Sequence, residues 1–212
     1  LFILGVAAVL FTAVWLLIRF GGRVSDGKSF AALAGMLIGI GVVLRLILAF
    51  TVKGYREDLS ELYDAMDGMK GYYLAGGTLF PLTAAVYRVI GLLCNGFGLG
   101  IDSVWLQFFA KLPILLADCG TAVLLYLLAK RYLGGYAGVI VAGLFSLCPA
   151  FLFASVWGSV YSIMTFGMVL SAWFLVRRNY LGLCVAFALT MLTGREALFL
   201  VPVVAVFVVT AF

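Results

Sequence analysis

The chain contains no histidine, and only 11% of its 212 residues are charged. Without histidine there is no imidazole for a Ser-His or Cys-His nucleophile pair, for acid–base catalysis near neutral pH, or for a His-ligated metal site. A soluble domain carries roughly 25% charged residues, whereas 66% of this chain is hydrophobic. The composition therefore excludes the soluble enzyme classes and predicts an all-α protein that crosses a membrane several times.

Cysteine is also scarce, and nothing in its spacing points to chemistry. None of the four cysteines forms a C-x-x-C pair, and all lie in apolar runs, as small buried side chains do. They are Cys94, Cys119, Cys148 and Cys184. The net charge of +5 is spread thinly along the chain, so we predict no nucleic-acid partner.

Long apolar segments predict six membrane spans, since a helix needs about 20 apolar residues to cross the hydrocarbon core. The predicted spans are 1–18, 31–52, 104–129, 136–155, 160–176 and 180–212. The chain starts without a methionine and ends inside an apolar run. We therefore expect a single transmembrane domain over 1–212 that is incomplete at both ends.

A shorter apolar segment, 81–94, carries Arg88 near its middle. Basic clusters follow the first, third and fifth predicted spans, and they share one side of the membrane only if this segment does not cross. We therefore predict a re-entrant or interfacial helix over 81–98 on the outer face. The same count places the whole loop 53–98 outside, together with the turn at Trp157–Tyr161.

The first half of this loop is acidic and amphipathic. Five of the nine acidic residues lie in it: Glu57, Asp58, Glu61, Asp64 and Asp67. Apolar side chains recur at i, i+3, i+4 and i+7, which predicts a short helix on the membrane surface, ended by Gly68 and Gly71. The acids suit a solvated helix face, but a carboxylate beside apolar walls also suits a general base.

Five ionisable residues fall inside predicted spans, where charges are costly and indicate function by default. They are Arg45, Lys111, Asp118, Arg195 and Glu196. Lys111 and Asp118 are two turns apart, roughly 10 Å along a helix axis, which is too far for a direct pair. Pairing with neighbouring helices, which would order the bundle, and neutralisation of a phosphate group both remain open.

Several short motifs occur in a recognisable order along the chain. They are Gly54-Tyr55-Arg56-Glu57-Asp58-Leu59, Phe80-Pro81-Leu82, the Lys-x-Pro-x-x-x-x-Asp segment from Lys111 to Asp118, Trp157-Gly158-Ser159-Val160-Tyr161 and Gly194-Arg195-Glu196. Their order and spacing over residues 30–205 resemble the N-terminal half of GT-C superfamily membrane glycosyltransferases. Within that superfamily the closest resemblance is to prokaryotic relatives of the GPI-anchor mannosyltransferases.

The resemblance implies a GT-C fold and transfer of a mannose-like sugar from a polyprenyl-phosphate donor to an acceptor hydroxyl, with inversion, on the outer face of a prokaryotic plasma membrane. It implies that Asp58 is the catalytic base and that no cofactor is needed, although a divalent cation at Asp58 and Glu61 stays open. The candidate substrate- and donor-binding residues are Arg45, Arg56, Glu61, Tyr72, Tyr73, Arg88, Lys111, Asp118, Trp157, Tyr161, Arg195 and Glu196.

The chain departs from that family at two motifs. Relatives typically carry Trp-Gly-Gln-x-Asp where this chain has Trp157 to Tyr161, and a Lys-x-Gln motif at Gly194-Arg195-Glu196. Two alternatives therefore stay open. One is a secondary transporter with a polar relay of intramembrane charges, and the other is a catalytically degenerate membrane scaffold that binds a lipid.

Overall fold

A computed structural model describes residues 27–53, 56–74, 79–99, 103–194, 198 and 201–202. This part of the chain is helical and contains no strand, as the composition predicts. In chain order its helices are α1 (Gly27–Thr51), α2 (Arg56–Asp67), α3 (Met69–Leu74), α4 (Pro81–Gly96), α5 (Val104–Leu133), α6 (Gly135–Leu147), α7 (Pro149–Trp157), α8 (Tyr161–Val176) and α9 (Tyr180–Met191).

Two of these helices are long and apolar enough to span a membrane. They are α1, over Lys28–Thr51, and α5, over Val104–Leu133. The bent pair formed by α6 and α7 makes a third span if the two helices are counted together. These three match the predicted spans 31–52, 104–129 and 136–155. The first predicted span, 1–18, lies outside the described residues.

Proline accounts for the bend between α6 and α7. The helices meet at an angle of 48°, with Cys148 extended between them. Pro149 is the first residue of α7, a position that suits its fixed φ and its missing N–H group. The residue before a proline is driven out of the helical region, which ends α6 at Leu147. The expected single helix over 136–155 is thus two helices.

Helices α8 and α9 are shorter and form an antiparallel hairpin. Asn179 begins α9, because its side chain accepts a hydrogen bond from the backbone N–H of Gly182 at 3.0 Å. In the predicted span 180–212, α9 ends at Met191 and is followed by a turn, and most residues after Gly194 lie outside the described part of the chain. The carbonyl of Leu192 then accepts a hydrogen bond from the N–H of Leu82 at 3.1 Å, so the end of α9 contacts the start of α4.

The core consists of two apolar clusters at opposite ends of the bundle. One joins the first half of α1 to the second half of α5 and to α6, and includes Leu37, Tyr126 and Val139. The other joins α2 and α4 to the first half of α5.

Helix α2 has the predicted amphipathic pattern, but its apolar face packs against protein. Leu62, Ala65 and Met66 are buried in the cluster with Tyr87 of α4. The approach is close at Gly91, where a Cβ atom would lie 2.2 Å from the Met66 carbonyl oxygen. The expected surface helix is therefore covered by α4. Gly68 separates α2 from α3, as predicted, whereas the second predicted terminator, Gly71, lies inside α3.

Candidate functional site

Arg45 and Asp118 form an ion pair in the interior of the bundle. Arg45 Nε lies 3.4 Å from Asp118 Oδ2, and only 3% and 4% of the two residues are exposed. Arg45 Nη1 also donates to the carbonyls of Ser146, at 2.7 Å, and Gly41, at 3.3 Å. Two predicted site residues are thus brought together inside the bundle.

Lys111 is bound to the carboxyl end of α1. Its Nζ donates to the carbonyls of Val52, at 2.7 Å, and Ala49, at 3.2 Å, and the residue is fully buried. The last carbonyls of a helix have no partner within the helix, and a cation there also interacts favourably with the helix dipole. Lys111 therefore caps α1 and has no direct bond to Asp118, in agreement with their predicted separation.

Arg88 caps the carboxyl end of α2. Its Nη1 donates to the carbonyl of Met66 at 2.8 Å and to that of Asp67, the last residue of the helix. Arg45 fits the pattern too, because Ser146 belongs to the last turn of α6. Three of the predicted donor-binding cations, Arg45, Arg88 and Lys111, thus each donate to the carboxyl end of a different helix.

Tyr72 and Tyr73 of α3 are both hydrogen-bonded to the backbone of Leu79. The Tyr72 hydroxyl accepts a hydrogen bond from the N–H of Leu79 at 2.6 Å, and the Tyr73 hydroxyl donates to the carbonyl of Leu79 at 3.0 Å. The two rings are in edge contact, with centroids 5.2 Å apart. Tyr72 is buried, whereas Tyr73 is 40% exposed and so more open to a ligand.

The helix that carries Asp58 and the turn at Trp157–Tyr161 lie at the same end of the bundle. Val160 and Ile163 pack against the apolar cluster that contains Leu62 of α2. Trp157 and Tyr161 are themselves largely exposed. Asp58 is in the first turn of α2. The structure describes the backbone of Asp58 and Arg56 but not their side chains.

A small cavity lies between α2, α4 and the start of α5. It has a volume of about 200 Å³ and is lined by Tyr63, Asp64, Met66, Asp67, Gly91, Asn95, Leu99 and Leu106. Burial raises the pKa of the Tyr63 phenol, whose hydroxyl has no hydrogen-bond partner in the described structure. Nothing in the sequence pattern singled out Tyr63 or Asn95 as site residues, because their meeting depends on how α2 crosses α4.

A second, apolar recess opens between α1, α5 and α8. Its volume is about 380 Å³, and its walls include Ile38, Gly120, Phe166 and Leu170. A Cβ atom at Gly120 would lie 2.5 Å from the Phe166 ring, so the small residue allows α8 to approach α5. The recess has the apolar lining that a lipid chain requires.

The remaining predicted site residues are Glu61, Arg195 and Glu196. Glu61 is partly buried on α2 and engages in a further interaction. Arg195 and Glu196 lie outside the described residues. Among the residues that the structure does describe, no three His, Cys, Asp or Glu side chains come together as a metal site. The cation considered for Asp58 and Glu61 is therefore left as a prediction.

Comparison of the chain with protein-family models, with curated protein sequences and with solved structures finds no match. The described part of the chain is all-helical, and it has two or three helices long and apolar enough to span a membrane.

Proposed function

We propose that the protein is an integral-membrane glycosyltransferase of the GT-C type. It transfers a mannose-like sugar from a polyprenyl-phosphate donor to an acceptor hydroxyl on the extracytoplasmic face, with Asp58 as general base and inversion at the anomeric carbon. The observation that carries the proposal is the common location of the Asp58-bearing helix and the Trp157–Tyr161 turn, which share one apolar cluster at one end of the bundle. The motif resemblance supplies the chemistry.

The packing of α4 supports the outer position of this end. The helix is 16 residues long, roughly 24 Å at 1.5 Å per residue, and it contacts the first half of α5 through Leu106, Ala110 and Ile114. It is shorter than the about 20 residues of a straight span, and it carries Arg88 near its middle, whereas α8 is equally short but uncharged. If it stays on one side, the basic clusters at Lys130–Arg131 and Arg177–Arg178 share the cytoplasmic side with Lys28, as the positive-inside rule requires. Six spans are part of this proposal.

The proposed reaction needs a base for the acceptor proton and a cation for the leaving phosphate. Arg45, Arg88 and Lys111 already donate to helix carbonyls. The proposal therefore assigns the phosphate to Arg56, two residues before Asp58, and to Arg195. The apolar recess between α1, α5 and α8 would take part of the polyprenyl chain, since the polar end of the donor must stay at the interface.

The base assignment is tested by Asp58→Asn, which keeps the shape of the side chain and removes its basicity. Transfer from a radiolabelled polyprenyl-phosphate mannose is measured in proteoliposomes that contain the full chain. We expect loss of transfer in this variant and near-normal transfer in Glu57→Gln, which removes the same charge one residue earlier. Retained turnover in Asp58→Asn would contradict the assignment. If the unaltered protein binds the carrier lipid without turnover, the protein is a lipid-binding scaffold and the transferase proposal fails.

A secondary transporter is the second candidate, because the bend between α6 and α7 lies beside the Arg45–Asp118 pair. A discontinuous helix next to buried charges is a typical substrate site in transporters. Flux of a solute into protein-containing liposomes, abolished by Asp118→Asn and independent of any lipid-linked sugar, would favour this candidate. Absence of flux combined with sugar transfer would exclude it.

A further inference from the structure

Helix α4 has an exposed apolar stripe along one side. Val86, Val89 and Leu93 are 37%, 57% and 59% exposed, and Phe97, directly after the helix, is 78% exposed. Residues three and four apart lie on the same face of a helix, so these four side chains form one continuous surface. A continuous exposed apolar surface of this kind marks a contact with an apolar partner or with a membrane.

The opposite side of α4 carries its charge and its contact with α2. Arg88, the only charged residue of α4, follows Val86 by two residues, about 200° around the helix. Gly91 follows Val89 by the same interval. Arg88 donates to the last carbonyls of α2, and Gly91 lies against the Met66 carbonyl of that helix. The stripe is therefore uncharged and points away from α2.

Helix α4 lies beside a candidate membrane span and not beyond its end. Its buried face packs against the first half of α5 as far as Ile114, which is ten residues after Val104, or roughly 15 Å along the helix axis. At the other end of α4, the N–H of Leu82 donates to the carbonyl of Leu192, directly after the apolar helix α9. The stripe is thus continuous with the apolar helices of the bundle.

Exposed aromatic rings mark the level at which the spans end near α4. Trp105, in the first turn of α5, is 56% exposed, and its ring centroid lies 5.6 Å from that of Phe50 in the last turn of α1. Tryptophan is enriched at the boundary between membrane and water. Only residues 97–103 separate α4 from α5, so α4 ends close to this boundary.

We propose that the stripe of α4 inserts into the lipid leaflet at this end of the bundle, so that α4 lies between the membrane and α2. The partner is the acyl-chain region just below the headgroups, since the apolar face of an interfacial helix lies about 5–10 Å into that boundary. Helix α2, which the sequence predicts at the membrane surface, is then separated from lipid by α4 and exposes Asp64 and Asp67 to water. The proposal rests on the packing of α4 and not on the proposed reaction.

The test uses single-tryptophan variants of the full chain in phosphatidylcholine vesicles. The four native tryptophans are first replaced by phenylalanine, namely Trp15, Trp105, Trp157 and Trp173. One tryptophan is then introduced by Val89→Trp or, in a second variant, by Leu93→Trp. Brominated phosphatidylcholine quenches an indole in lipid, and acrylamide quenches an indole in water. We expect either tryptophan to lose about half of its fluorescence when the bromines lie close to the headgroup, and less when they lie deep in the acyl chain, as an interfacial depth requires.

The matched control is Asp64→Trp in the same background, because Asp64 is exposed on α2. This tryptophan should be quenched by acrylamide and much less by either brominated lipid. Far-UV circular dichroism shows whether each variant retains its helices. Quenching of the control by brominated lipid as strong as that of the stripe variants would overturn the proposed order of lipid, α4 and α2.

Quenching of both stripe tryptophans by acrylamide but not by brominated lipid would overturn the proposal, because the stripe would then face water. Stronger quenching by the deeply brominated lipid would overturn the interfacial position. Protection from both quenchers would overturn the proposal as well, since protein would then cover the stripe. A second copy is the cover if protection is lost when the protein is diluted in lipid, and another segment of the chain is the cover if protection persists. No donor lipid is needed, so the result is independent of the glycosyltransferase assignment.

Discussion

Replacing either Arg45 or Asp118 alone by an uncharged residue should strongly destabilise the bundle. At 3.4 Å, with an effective dielectric constant of about 20, Coulomb's law gives an attraction of about 5 kcal/mol for this pair. Removing one member of a buried pair leaves the other charge without compensation and typically costs about 3–5 kcal/mol. We therefore expect Asp118→Leu and Arg45→Met each to lower the free energy of unfolding by an amount in that range.

The double variant Arg45→Met/Asp118→Leu should be less destabilised than the sum of the two single changes. It removes both charges and fills the site with apolar side chains of similar length, an exchange that is often neutral or even stabilising. The double variant should still be less stable than the unaltered protein, because the Ser146 carbonyl loses its hydrogen-bond donor. Buried orphan carbonyls cost about 1–3 kcal/mol. The expected coupling energy between the two positions is then at least about 2 kcal/mol.

The assay is reversible unfolding in mixed micelles of a mild detergent and sodium dodecyl sulfate, followed by far-UV circular dichroism. Thr121→Val is the control, since Thr121 is a fully buried residue of α5 whose hydroxyl donates only within its helix, to the Ala117 carbonyl at 2.8 Å. Its effect should be near the average of about 0.6 kcal/mol found for hydrogen bonds inside membrane bundles. Additive effects of the two single variants would refute the reasoning, because they would mean that the two charges do not interact.

Three further changes test the packing around α2, α3 and α4. Gly91→Ala should lower the free energy of unfolding by about 1–3 kcal/mol, because its Cβ atom would lie 2.2 Å from a backbone oxygen of α2. Gly96→Ala is the control in the same unfolding assay. A Cβ atom at Gly96 meets nothing within 4 Å, so this change should be neutral. Arg88→Met should weaken α2 by about 1–3 kcal/mol through its uncapped carbonyls, seen as faster amide hydrogen exchange in that helix alone. Tyr72→Phe should make the chain at residue 79 more susceptible to proteolysis, because the Leu79 N–H loses its hydrogen-bond acceptor. Unchanged cleavage would show that this hydrogen bond does not stabilise the chain at residue 79.

Much of the helical layout follows from local patterns that the sequence displays directly. The apolar runs at 31–52 and 104–129 become α1 and α5, and the segment 81–98 becomes α4. Pro81 begins α4 and Gly68 separates α2 from α3, as propensities of proline and glycine predict. These elements were predictable because each depends on residues close together in the chain.

The partners of the polar side chains depend on contacts between distant residues, and the sequence did not predict them. The distance between Lys111 and Asp118 excluded a direct pair, but nothing local showed that one would reach α1 carbonyls and the other Arg45. The bend at Cys148 has a local cause in Pro149, but it lies within an uncharged stretch of 45 residues, 132–176, that gives no other sign of a break. Likewise the apolar face of α2 fits a membrane surface and a protein surface equally well, and only the position of α4 decides between them.

The capping role of the buried cations bears on how charges in membrane spans are interpreted. A helix that ends inside the bilayer leaves backbone carbonyls without hydrogen-bond donors, because neither lipid nor water can donate to them there. A cation near such an end can therefore be needed for folding rather than for binding a ligand. Arg45 and Lys111 each sit at such an end. A donor phosphate could bind either cation only by displacing the helix carbonyls that the cation contacts now, which would destabilise the ends of α1 and α6. The phosphate role in our proposal therefore falls to the remaining candidate cations, Arg56 and Arg195, rather than to the most deeply buried charges.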